Sequence, residues 1–427
     1  MRRHLIIQLA RFGDLIQTGR LVRSLQAEPE DAGSQVHLCL DRSLAALARP
    51  VYPDVIVHEV QAHAGGDAAG RGVADRRIFQ ELASLDFDAV YNLNFSGLSF
   101  ALAGLFDPEC VRGYRLDRGQ PLRDTWLALA MRWSRRRATS PLNLVDLWAA
   151  LAPNPVIPGE VNPVAQRRGG GLGVVLAGRH ARRSLPMETL AACVAAVFQA
   201  EARDRAEPKV FLLGGPGERP QARALRQVAP RGLVSRLEDL TGRTDWAGLV
   251  EVVSGLDVLL TPDTGTMHLA AALGVPVQAF FLASAWAFET GPYGLGHRVW
   301  QAVTPCSPCL ESAACDCELE CRTPFASKPF LSFLSGRFNP EWPPGLLGLV
   351  SGVDELGAVY RPVFGEDPWA RRRESLRAVV AEWLGLGRLG PCPEAEAADE
   401  LFLERDWMLP DATRWRESGA VVCGDWI

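Results

Sequence analysis

The chain has 427 residues, of which 48% are hydrophobic and 22% charged, an ordinary globular composition with length enough for two cores and an appendage. Its net charge of −5 argues against a dedicated nucleic-acid binder. Gln8, Arg11 and Asp14 interrupt the apolar start that a signal peptide would need, no apolar run reaches membrane-spanning length, and the ten Cys are dispersed apart from one cluster, unlike a secreted disulfide scaffold.

In chain order, residues 5–9 (LIIQL) read as a strand that enters Ala10-Arg11-Phe12-Gly13-Asp14, followed by apolar residues at helical spacing through Leu25. Asp14 sits at the mouth of that helix, where an acidic residue also simply complements the dipole. Strands are expected at 36–40, 55–60 and 88–93, and helices at 43–48 and 78–85. The Gly- and Ala-rich stretch 62–72 reads as a loop. Alternation at this spacing predicts a doubly wound parallel sheet. It places Asn92, Asn94 and Ser96 at the carboxyl edge, where a polar substrate can lie. Residues 123–137 (RDTWLALAMRWSRRR) combine apolar surface with a crowd of Arg. A solvated helix end and a basic patch for anionic lipid or a phosphorylated acceptor are equally good readings.

The Pro-, Gly- and Arg-rich segment 153–173 reads as a linker. A second alternating series follows: strand 172–176, a basic loop 177–183, helix 186–202, strand 209–213 entering Gly214-Gly215-Pro216-Gly217, helix 221–228 and helix 246–254. It leads to LDVLLTPDTGTMHLAAALGVPVQAFF at 256–281, a strand–turn–helix–strand unit whose polar residues crowd the turn. Free N–H groups of Thr264, Gly265 and Thr266, backed by the helix dipole, suit phosphate. Asp263 and the two Thr also suffice as ordinary helix caps. The addition of His268 four residues beyond Thr264 tips the balance towards a binding site.

Several blocks together resemble glycosyltransferase family nine, the ADP-heptose:lipopolysaccharide heptosyltransferases and their relatives. They are IIQLARFGDLIQTGRLVRSL (6–25), GRHARRSLPMETLA (178–191), FLLGGPGE (211–218), DLTGRTDWAGLVEVV (239–253), LLTPDTGTMHLAAALGVPVQAFF (259–281) and GPYG (291–294), in the family's order across residues 1–325. The resemblance implies an α/β GT-B architecture, with two Rossmann-like doubly wound domains facing a cleft and a C-terminal extension. The corresponding boundaries are 1–160 for the acceptor, 161–329 for the nucleotide-sugar and 330–427 for the extension. It also implies inverting, metal-independent transfer, with heptose favoured, to a lipopolysaccharide core or other surface glycan. Asp14 takes the base position, with Arg11, Asn94 and Ser96 towards the acceptor. Arg183, Asp263, Thr264, Gly265, Thr266, His268, Gly214 and Gly215 lie on the donor side. Three places depart from the family pattern: Arg183 stands where Lys is usual, Leu185 replaces a common aromatic, and Ala283-Ser284-Ala285 replaces Gly-Pro-Thr.

No cofactor beyond the nucleotide-sugar, ADP-heptose for preference, is expected. The cluster Cys306, Cys309, Cys315, Cys317 and Cys321 reads first as reduced thiols, with a structural zinc as the alternative. Expected partners are the donor and a lipid-linked glycan acceptor, without nucleic acid; the expected location is the cytoplasm, with peripheral contact at the inner membrane left open. Residues 339–348 read as irregular, 369–384 as a helix, and Trp407, Trp415 and Trp426 as marks of a docked tail. Because a fold does not fix chemistry, a nucleotide-sugar epimerase and a noncatalytic nucleotide-sugar-binding scaffold remain the alternatives.

Overall fold

The computed structural model describes residues 2–27, 33–63, 68–178, 181–203, 208–310, 313–337, 341–387 and 389–390. Their contacts form two compact units, the first drawn from 1–136, 144–157 and 372–427 and the second from 137–143 and 158–371.

The first unit holds strands β1 (Arg2–Ile7), β2 (Ser34–Asp41), β3 (Ile56–Val60), β4 (Ala89–Asn92), β5 (Val111–Asp117) and β6 (Gln120–Arg123). They pair in the order β3-β2-β1-β4-β5-β6, all parallel except β6 against β5. Leu5, Ile7, Val90, Leu102 and Val111 build its core. The second unit holds β7 (Leu172–Val175), β8 (Val210–Leu213), β9 (Leu237–Asp239), β10 (Val258–Thr261), β11 (Val277–Phe281), β12 (Arg298–Ala302), β13 (Leu346–Val353) and β14 (Ala358–Phe364). Its order is β14-β13-β12-β11-β10-β7-β8-β9, parallel from β9 to β12 and antiparallel beyond. Leu172, Val174, Leu260, Phe280, Trp300 and Phe330 fill its core. In each sheet the first strand of the series has its successors on one side and the later strands on the other. That reversal is the point at which open α/β sheets bind ligands.

Several expectations need correction. The helix expected at 78–85 spans Ala68–Ala83, so residues 68–72 of the stretch read as a loop are helical; residues 64–67 lie outside the described residues. Gly and Ala weaken the periodic signal without forbidding a helix. The segment read as irregular around 339–348 runs into β13, which pairs with β12. Residues 330–371, expected within a separate extension, contribute β13 and β14 to the second sheet. The helix Ala370–Trp383 then buries Leu376, Ala378, Val380 and Ala381, and Trp383 stacks on Trp126 in the first unit at 5.3 Å. The Trp407, Trp415 and Trp426 tail lies outside the described residues.

The apolar face of the basic helix (Thr125–Trp133) is also accounted for. Trp126, Leu127, Leu129 and Ala130 are buried, and Trp126 Nε1 donates to the Leu147 carbonyl at 2.9 Å. That surface belongs to the first unit's interior. Among the described residues no helix is long and apolar enough to cross a membrane.

Buried histidines make the fold acid-sensitive. His37 Nδ1 lies 2.8 Å from His58 Nε2, His58 Nδ1 lies 3.2 Å from Glu81, and His37 Nε2 lies 3.2 Å from the Gln35 amide. Glu81 accepts from His58, and burial favours the neutral form of both rings. Protonating His37 removes no donor but adds a buried charge. Burial, then the charges of His58 and Arg3, lower the His37 pKa to about 4, and burial lowers that of His297 to about 4 as well. The unfolded chain therefore takes up protons first. Stability is intact above the ordinary value near 6.5 and is lost as pH falls from there towards 4, by roughly 3 kcal/mol per histidine. Urea melts from pH 7 to pH 4 should show this fall, and His297→Gln should flatten part of it. A curve unchanged in the variant excludes His297 as a source.

Candidate functional site

In the second unit the parallel strands β10, β7 and β8 are neighbours, so the loops following Thr261, Val175 and Leu213 share one carboxyl edge. Pro262 breaks β10 and Thr264 caps the helix Gly265–Ala272, its backbone extended and its hydroxyl accepting from the Met267 N–H at 3.4 Å. The Thr264 hydroxyl is itself 3.0 Å from that of Thr261. The next two N–H groups, of Gly265 and Thr266, have no hydrogen-bond partner among the described residues, and both residues are only half-buried. A helix N-terminus with unused N–H groups at a sheet's switch point is suited to an anion. Gly274, with φ of 68°, ends this helix in the left-handed region that a helix C-terminal glycine adopts.

Asp263 is turned inward and 7% exposed. Its Oδ2 accepts from Arg183 Nη1 at 3.1 Å and from the Thr290 hydroxyl at 3.2 Å, and its Oδ1 lies 3.8 Å from His268 Nε2. The structure thus brings Arg183, Asp263 and His268 together around one carboxylate. Thr290, which stands directly before the Gly291–Gly294 block, joins them although sequence reasoning missed it; its adjacency to that block was the available signal. Gly214 and Gly215 have a local reason for being glycine. A Cβ on Gly214 would stand 2.9 Å from Glu218 Cβ, and one on Gly215 3.2 Å from the Glu218 carboxylate.

In the first unit the loop after β1 and the loop after β4 meet at that sheet's own switch point. Asp14 occupies the third position of the helix Phe12–Gln17, half-buried, and its Oδ2 accepts the Arg11 N–H at 3.0 Å. Its backbone carbonyl accepts from the Thr18 hydroxyl at 2.8 Å. Arg11 itself is exposed. Asn94 joins the two loops, accepting the Leu9 N–H and donating to Gln8 Oε1 at 2.9 Å. Ser96 caps the helix Gly97–Ala103 by exchanging bonds with Ser99. Asn94 and Ser96 therefore shape this edge, and both stay half-buried on it.

All five cysteines of the cluster line one small cavity, together with Arg182, Ala283, Ser284, Leu319 and Glu320. Hydrogen bonding with Cys306 pushes the Cys317 thiol up to about 11, while the N–H groups of Leu319 and Cys317 hold the Cys315 thiol below its usual range. Burial raises the thiols of Cys309 and Cys321.

A family model described as glycosyltransferase family 9 (heptosyltransferase) matches residues 195–318. Lipopolysaccharide heptosyltransferase 1 of Pseudomonas aeruginosa is 39% identical over 69 residues, 16% of this chain and 19% of that protein. Lipooligosaccharide heptosyltransferase 2 of Haemophilus influenzae is 31% identical over 72 residues, 17% of this chain and 21% of that one. The chain spans about a fifth of the length of these curated relatives in the matched stretches. The fold extends the likeness. Escherichia coli ADP-heptose lipopolysaccharide heptosyltransferase II superposes with a TM-score of 0.52 at 17% identity, covering 76% of this chain and 96% of that one. The likeness to glycosyltransferase family 9 thus rests on residues 195–318, and the likeness to the heptosyltransferase fold on most of the chain. The chain's GT-B fold is shared also with E. coli heptosyltransferase WaaC, solved with ADP, at a TM-score of 0.52, 18% identity and coverage of 68% and 91%. The matched segment contains the Asp263 loop, Thr290 and the first four cysteines of the cluster but neither Asp14 nor Arg183.

Proposed function

We propose that the protein is an inverting glycosyltransferase that moves a sugar, heptose for preference, from a nucleoside-diphosphate donor to a lipopolysaccharide core or other lipid-linked surface glycan. The observation that carries the reading is the second unit's switch-point loop, where two unused N–H groups at a helix N-terminus stand beside the Arg183–Asp263 pair. The acceptor hydroxyl oxygen bonds to the anomeric carbon as the bond from that carbon to the diphosphate breaks, and the hydroxyl proton passes to Asp14. Negative charge grows on the departing diphosphate. The Gly265 and Thr266 N–H groups and the Arg183 guanidinium offset that charge, so the transfer itself needs no metal ion. Asp263, held by Arg183 and Thr290, fixes the loop and orients the cation. The proposed setting is cytoplasmic, with the acceptor's lipid bringing the enzyme to the membrane surface.

Nucleotide binding tests the reading. A ligand that binds only the folded state raises its apparent stability. ADP should raise the melting temperature selectively over UDP, GDP and CMP, and Arg183→Ala should abolish the shift. A shift with UDP or GDP alone would exclude ADP-heptose as donor, and no shift with any of the four removes the basis for a nucleotide-sugar enzyme.

A further inference from the structure

The cysteine cluster stands outside the transfer chemistry and has its own geometry. Two short segments supply it: Cys306 and Cys309, three residues apart, and Cys315, Cys317 and Cys321 on a turn in which Glu318 and Leu319 take φ of 46° and 60°. That left-handed pair is uncommon for residues other than glycine, Asn and Asp, and it folds the second segment back so that its three thiols line the cavity shared with the first segment. The cavity has room for about 10 Å³, the size of one water or small ion. A nucleotide or sugar cannot enter it.

Two further observations point to an occupant. Ser284 is 3% exposed, lines the same cavity, and its hydroxyl has no hydrogen-bond partner among the described residues, a costly condition for a buried polar group. Arg182 reaches over the cluster, donating to Cys309 Sγ at 3.4 Å, to the Leu310 carbonyl at 3.2 Å and to the Ala313 carbonyl. A cation that donates to a ligating sulfur suits the excess negative charge of a thiolate-bound metal.

We propose that Cys306, Cys309 and the buried Cys321, with a fourth thiol from the turn that carries Cys315 and Cys317, form a structural site for one soft divalent cation, zinc being the ion that four thiolates select. Among the described residues no three ligands are already closed on a common point, so binding proceeds with rotation of the thiols about χ1 between staggered wells. Each thiol gives up its proton to the solvent as the metal–sulfur bond forms, with no change of oxidation state. The metal joins the 304–309 loop to the 315–321 turn. Through the Cys309 N–H, which donates to the Ala283 carbonyl at 2.8 Å, it braces the segment that follows β11. Nothing in this assignment depends on the glycosyltransferase reading.

The full-length protein, purified under reducing conditions and stripped with a chelator, is titrated with Co²⁺ and then with Zn²⁺. One equivalent of Co²⁺ should produce thiolate charge-transfer and tetrahedral d–d bands that Zn²⁺ bleaches. Cys309→Ser with Cys321→Ser should lose both bands, and Arg182→Ala should weaken the affinity about 10- to 100-fold. Cys110→Ser, outside the cluster, should match the parent. Absence of thiolate bands in the parent protein overturns the proposal whatever the variants do. So does a denatured, unreduced thiol count below the ten Cys of the sequence, which would assign the cluster to a disulfide.

Discussion

Asp14→Asn is expected to lower kcat by about 10²- to 10⁴-fold, on the order of 3–5 kcal/mol of barrier, with little change in nucleotide affinity. The substitution is chosen for what it preserves. An Asn side-chain oxygen can still accept the Arg11 N–H that Asp14 accepts at 3.0 Å, so the helix Phe12–Gln17 keeps its start. The negative charge goes, and with it the ability to take a proton at neutral pH. Asp14→Ala removes both, and should add roughly 1 kcal/mol of instability through the lost capping bond. Sugar transfer from ADP-heptose to extracted lipid-linked acceptor, measured beside ADP affinity for each variant, separates the two effects. Transfer by Asp14→Asn within tenfold of the parent would remove Asp14 from the role of base. Loss of ADP binding in the same variant would show that the carboxylate serves the fold instead.

The largest expected effect on stability lies in the same unit. Arg20 and Asp146 are 5% and 2% exposed and meet at 2.6 Å, joining the helix Gly19–Gln26 to the helix Leu144–Ala149. Arg20 Nε also donates to the Val156 carbonyl at 3.0 Å. Asp146→Ala removes the carboxylate that this buried guanidinium meets, and is expected to cost about 3–5 kcal/mol, a fall in Tm on the order of 10 °C. Replacing both partners, Arg20→Met with Asp146→Leu, should recover most of that loss, because the desolvation penalty disappears together with the attraction. Urea melts of the single and double variants measure the difference. A double variant no more stable than the single one would mean that packing around Asp146, and not the buried charge, sets the cost.

The sequence determined the alternation of strands and helices, because parallel strands buried on both faces leave unbroken apolar runs such as Val258–Leu260 and Leu5–Ile7. It determined the two polar turns for the same reason: Gly, Asp and Thr crowd positions where an apolar run stops and a helix starts. Other features depended on the tertiary structure. Residues 111–123 and 298–302 form strands without a signal strong enough to be read in advance, since charged residues interrupt the apolar ones in the first and the second is only five residues long. Thr290 reaches Asp263 from 27 positions away, and no local pattern encodes that distance. The five cysteines, read from spacing as reduced thiols first, share one cavity only because a left-handed pair of residues folds the second segment back. Asn94 and Ser96 stand at the edge position expected of them, and there the fold also binds Asn94 to Leu9 and Gln8 and makes Ser96 a helix cap. Polar side chains at a sheet edge serve the backbone and a substrate through the same donors and acceptors, so their first partners are decided only once the chain has folded.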